Sequence, residues 1–148
     1  MLARKTCAKT INMNVNDAGI KKILETYKKL TVIGLSRDGA KPAQKVPQFM
    51  RMHGYEIVGV HPTEKEIAGF TCYQNLADVP AEFRKFVDVF RPPKDIPAVV
   101  DEVLKVGGVQ VLFLQLGITH PESEARAEKA GLKVISDRCL HIELNKIL

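Results

Sequence analysis

The chain contains no tryptophan, only three cysteines and four histidines in 148 residues, and aromatic residues make up 6% of it. There is no aromatic platform interleaved with Arg or Lys, so the stacking surface used to bind single-stranded nucleic acid is missing. Cys7, Cys72 and Cys139 are odd in number and far apart. That argues against a disulfide framework and suits a reducing, cytoplasmic setting. His53, His61, His120 and His141 show no metal-ligand spacing, and no Ser-His-Asp or Cys-His set is identifiable. No apolar run approaches the roughly 20 residues of a membrane helix. Residues 1–16 lack the apolar core of a secretory signal and read as a flexible N-terminal arm.

What is present reads as one globular domain over residues 17–148, with 45% hydrophobic and 26% charged residues. The net charge is +5. Its basic residues are spread over loops and helix faces, as Lys21, Lys22, Lys28 and Lys29 illustrate. A mildly basic surface of this kind equally suits a small, multiply phosphorylated ligand. Protein partners are not specified by anything in the sequence.

The most informative stretch runs from Leu30 to Pro42. Leu30, Val32, Ile33 and Leu35 form a short apolar run that reads as a buried strand. The run breaks at Gly34 and Ser36 into a small-residue loop, and a helical pattern follows. A strand, a glycine-containing loop and a helix start together present backbone N–H groups to a phosphate. The spacing Gly34-x-Ser36-x-x-Gly39 is one residue away from the dinucleotide fingerprint. The alternative is that both glycines merely permit a tight turn.

Before this stretch, Asp17 reads as the cap of a helix whose apolar face is Ile20, Ile23, Leu24 and Tyr27. After it, Val46, Phe49, Met50 and His53 repeat the helical spacing up to Gly54, with Pro47 expected in the first turn. Further strands are expected at 55–60, 86–90, 109–116 and 132–136. The segment around Thr71-Cys-Tyr73 reads as a loop with a brief extended piece. Asp95 is expected to cap a helix whose apolar face is Ile96, Val99, Val100, Val103 and Leu104, and Thr119-His-Pro-Glu122 has capping-box form. Leu140 to Leu148 reads as a closing helix. The pattern predicts an α/β, Rossmann-like, doubly wound, five-stranded parallel sheet in the order 3-2-1-4-5.

In such a sheet the ligand lies beyond the carboxyl ends of the strands, at the switch in strand order. Those ends carry Ser36, His61, Arg91, Gln115 and Arg138. Arg37, Lys41 and Lys45 are candidate counter-charges for a pyrophosphate. The second strand ends in His61-Pro62, where an NAD site would place an acid. NADP stays open, with His61 and Lys65 facing its 2′-phosphate.

The blocks Gly34-Leu-Ser36, Val60-His-Pro62, Asp88-Val-Phe-Arg91, Leu114-Gln-Leu-Gly117 and Asp137-Arg-Cys139 occur in this order. Together they resemble the small stand-alone coenzyme A-binding proteins. These are similar in turn to the N-terminal domain of succinyl-CoA synthetase α subunits. The resemblance runs from about Asp17 to the C-terminus. It implies a Rossmann-like domain that binds coenzyme A through Gly34, Leu35, Ser36, Arg37, Lys41, Lys45, His61, Pro62, Phe90, Arg91, Gln115 and Gly117. His61-Pro62 and Phe90-Arg91 would wall the nucleotide, and Gln115 would lie along the pantetheine. The expected function is binding of CoA or an acyl-CoA without catalysis. The alternative is a small NADP-linked or acyl-CoA-using enzyme with the same crevice.

Overall fold

The computed structural model describes residues 15–148. Most of the segment read as an N-terminal arm therefore lies outside the described residues. Helix α1 (Asp17–Thr26) buries Ile20, Ile23 and Leu24, and it is capped by Asn16 rather than Asp17. The Asn16 side chain accepts from the Gly19 N–H at 3.0 Å. Asp17 is left one position inside, where it pairs with Arg138.

Strand β1 (Lys29–Ile33) leads through the loop to α2 (Pro42–Met52) and then β2 (Glu56–Val60). Pro42, not Pro47, occupies the first turn of α2, and Pro47 lies in the helix interior. Next come β3 (Glu66–Ile67), β4 (Phe70–Tyr73), α3 (Ala81–Arg84) and β5 (Phe86–Val89). The chain closes with α4 (Ile96–Val106), β6 (Val111–Gln115), α5 (Pro121–Lys129), β7 (Lys133–Arg138) and α6 (Leu140–Ile147). The cap of α5 is shifted along from the expected box. His120 Nδ1 accepts from the Ser123 N–H, and Glu124 accepts from the His120 N–H.

The sheet has seven strands in the order β3-β4-β2-β1-β5-β6-β7. All pairs are parallel except β3–β4. This corrects the expected order. The strand beside β2 is β4, whereas the 86–90 strand is β5, on the other side of β1. The error follows from reading residues 70–73 as loop, since omitting that strand moves the next one into its place. With β4 counted, and the small antiparallel β3 set aside, the sheet has the usual doubly wound order, reversing between β1 and β5.

Both faces are covered, as a parallel sheet requires. Leu30, Val32, Phe86, Val111, Phe113 and Ile135 pack under α1, α2 and α6. Ile33, Val58, Val87, Val89, Leu112, Leu114 and Val134 pack under α4 and α5. No described helix is long and apolar enough to cross a membrane.

Candidate functional site

Strand register decides which residues meet at the carboxyl edge. Ile33 lies beside Val60 in β2 and Val89 in β5, and Val89 lies beside Leu114 in β6. The next residues along, Gly34, His61, Phe90 and Gln115, therefore form a row across four adjacent strands. The Phe90 N–H donates to the Ile33 carbonyl at 2.8 Å, so β1 and β5 stay joined where the strand order reverses. Gly34 has a φ of +94°, and a Cβ there would lie 2.3 Å from the Phe90 carbonyl oxygen. Only glycine fits this crossing.

Two hollows open along the row. A polar arm of about 640 Å³ is lined by Gly34, Ser36, Arg37, Lys41, His61 and Arg91, among others. An apolar arm of about 420 Å³ is lined by Pro42, Pro92, Gln115, Leu116, Ile118 and Cys139. Lys41, Ala43, Phe90 and Arg91 line both, so the two arms adjoin at these residues.

Within the polar arm, side chains are held by short-range contacts. The Ser36 hydroxyl accepts from the Asp38 N–H at 3.0 Å, and Asp38 in turn accepts from the Ala40 N–H at 2.9 Å. The Ser36 carbonyl accepts from the Gln44 side chain at 2.9 Å. At the start of α2, Pro42 has no N–H and the Gln44 N–H bonds to the Lys41 carbonyl. The first turn therefore offers the crevice the N–H of Ala43. His61 Nδ1 accepts from the N–H groups of Thr63 and Glu64, at 3.1 and 3.0 Å. With Nδ1 committed as an acceptor, Nε2 carries the ring proton.

The cations differ in how they are held. Arg91 bonds Asp95 at 2.7 Å, so Asp95 orients the guanidinium instead of capping α4 with its side chain. Arg37 pairs with Glu64 at 3.2 Å and is largely exposed. Lys41 borders both arms with no ion-pair partner among the described residues. Lys45 is exposed on α2 and lines neither arm.

The remaining expected residues divide in the same way. Pro62 and the Leu35 backbone border the polar arm, while the Leu35 side chain is buried against Gly59. Gly117 lines neither arm, and its N–H bonds Asp137 at 2.7 Å. Arg138 is drawn away into ion pairs with Asp17 and Glu143. Gln74 lines the polar arm and was not expected from the sequence. It follows β4, so the signal for it was the short strand at residues 70–73.

Beneath the row lies a buried polar pair. Asp88 on β5 is 1% exposed and Gln115 on β6 is 3% exposed. The Gln115 Nε2 group donates to Asp88 Oδ1 at 2.6 Å. Burial pushes the Asp88 carboxyl up to about 8, against the opposing pull of Gln115 and the Val89 backbone N–H.

A doubly wound sheet whose reversal point carries a glycine crossing, a helix start and three cations is a Rossmann-like domain with its crevice at the switch point. The chain belongs to the CoA binding domain family, whose model matches residues 28–145. It is 31% identical over 129 residues to protein YneT of Bacillus subtilis (strain 168), covering 87% of this chain and 94% of that one. A solved Thermus thermophilus structure superposes with a TM-score of 0.81 at 33% identity, over 90% of this chain and 99% of that one. The chain is also 29% identical over 122 residues to an ADP-forming acetate–CoA ligase of Archaeoglobus fulgidus. That match covers 76% of this chain but only 18% of the ligase.

Proposed function

We propose that this protein binds coenzyme A, or a short acyl-CoA, along the crevice at the carboxyl edge of the sheet. The observation that carries the reading is the joining of a polar, cation-bearing arm to an apolar arm through Phe90 and Arg91. Coenzyme A has the same division, with a phosphorylated nucleotide at one end and a pantetheine arm at the other. In this reading Lys41, Arg91 and the Ala43 N–H meet the phosphates. Phe90 stands between the two halves, and the pantetheine runs toward Gln115, Leu116 and Cys139.

Binding without chemistry is part of the proposal. Ser36 and His61 spend their side-chain acceptors on backbone N–H groups. The absence of an acid after β2 favours coenzyme A over NAD.

Native mass spectrometry and calorimetry with CoA, acetyl-CoA, NADP and ATP test this reading. The expected result is a CoA-sized mass shift and a calorimetric signal at sub-millimolar ligand. No shift with CoA would overturn it. Binding of NADP alone, or turnover of an acyl-CoA, would put the enzyme alternative first.

A further inference from the structure

Behind Gln115 lies a buried carboxyl group that the binding scheme above does not use. Apart from Gln115, Asp88 shares its sheet face with Val32, Phe86, Phe113 and Ile135, all apolar and buried. Its Oδ1 is occupied by the Gln115 amide, and its Oδ2 has no hydrogen-bond partner. A buried carboxyl without a counter-charge costs stability, so packing alone does not account for an acid at this position.

What Asp88 does is restrict Gln115. Its Oδ1 accepts from Gln115 Nε2, which turns the nitrogen end of the Gln115 amide inward. The opposite end, Oε1, takes no hydrogen bond from the described residues, and Gln115 contributes to the wall of the apolar arm. A free glutamine could present either end of its amide to a ligand. This one is held with its oxygen available.

We infer that Asp88 is a positioning residue, fixing the Gln115 amide so that Oε1 accepts an amide N–H from the linker arm of the ligand. The inference rests on the coenzyme A reading, because pantetheine supplies two such N–H groups. It assigns selectivity for the arm, as distinct from the nucleotide, to a residue that never touches the ligand.

The test compares two ligands, CoA and adenosine 3′,5′-bisphosphate, which lacks the pantetheine arm. Calorimetry is run on the wild type, Asp88→Leu, Asp88→Asn and Gln115→Leu. Asp88→Leu should weaken CoA about tenfold, the scale of one hydrogen bond, and leave the bisphosphate within about twofold. Asp88→Asn keeps an acceptor and should retain most of the CoA affinity. Gln115→Leu should lose as much as Asp88→Leu, and the double variant no more than either, as expected of a coupled pair. Equal losses for both ligands in Asp88→Leu, or an unchanged CoA affinity, would overturn the inference while leaving the crevice reading intact. Should Asp88→Leu fail to fold, Gln115→Leu decides: undiminished CoA affinity there overturns it equally. Binding of neither ligand to the wild type would overturn the crevice reading and this inference with it.

Discussion

The Ser36 N–H donates to the carbonyl of Ala43 at 3.3 Å, and that carbonyl is free because of Pro47. In an uninterrupted helix the residue at position 47 would donate to it, but proline has no N–H. The defect inside α2 therefore ties the β1 loop to the helix start beside the crevice. Pro47→Ala supplies the missing donor and lets the helix reclaim its carbonyl. The expected result is a helix more stable by up to ~3 kcal/mol. CoA affinity should fall several-fold as the loop loosens. Urea unfolding and calorimetry on the same variant check both signs, and unchanged affinity would mean the loop is held adequately by Gln44 alone.

Gly34 and Phe90 allow a sharper experiment. A methyl group at position 34 would press on the Phe90 carbonyl at 2.3 Å, in a backbone conformation that side chains rarely adopt. Gly34→Ala should destabilise the fold by well over ~1 kcal/mol, since both the φ and the clash oppose it. It should also abolish CoA binding in whatever protein remains folded, because β1 and β5 must separate to admit the methyl. Near-normal stability with normal affinity would contradict the crossing described here.

Much of this arrangement was legible in the sequence because burial on both faces makes parallel strands into continuous apolar runs. Val111–Leu114 is of that kind, Leu30–Ile33 is interrupted only by Thr31 and Phe86–Val89 only by Asp88, and Gly34 directly follows the first strand. The strand at Phe70–Tyr73 was not legible. It is four residues long, alternates buried with exposed positions and sits toward an edge. Missing it displaced the strand order and concealed Gln74. The roles of Arg138 and Asp95 were also hidden, since a sequence shows which residues are charged but not which acid lies beside them. Pro47 was visible as an anomaly, and its use became clear only once the Ser36 contact was seen.

Two lysines four residues apart, Lys41 at the cap of α2 and Lys45 within it, separate proximity from placement. Lys41 borders both arms of the crevice, whereas Lys45 borders neither. Lys41→Ala should weaken CoA about five- to tenfold and reduce the salt dependence of binding, as expected when one phosphate contact is lost. Lys45→Ala should stay within about twofold. Equal effects would indicate that both act through the general field.

Arg91 is held in place by Asp95, and that pairing makes it the best-oriented cation of the crevice. Arg91→Ala should cost roughly 1.5–3 kcal/mol of CoA binding, the range for hydrogen bonds to charged groups. Asp95→Asn should cost less and act only by loosening Arg91. Neither change should move the urea midpoint much, because the pair is partly exposed and such pairs contribute little to folding. A large loss of stability with unaltered affinity would assign the pair to α4 and remove Arg91 from the ligand's surroundings.

The Asp88 carboxyl also sets a pH dependence. Its folded value of about 8 lies above its ordinary value of 3.8. Between these values the folded protein holds a proton that the unfolded chain has released, so stability falls as pH rises from about 4 to about 8. Below that window both states are protonated, and above it both are ionised, so the contribution is flat on either side. Asp88→Asn removes the group while keeping its shape and its acceptor for Gln115. The difference in unfolding free energy, variant minus wild type, should therefore grow in favour of the variant from pH 5 to pH 8 and then level off. Asp17, held low by Arg138, titrates below this window and does not enter the difference. Parallel stability curves for the two proteins across this range would show that the carboxyl ionises as readily in the fold as outside it, and that it is not enclosed as described.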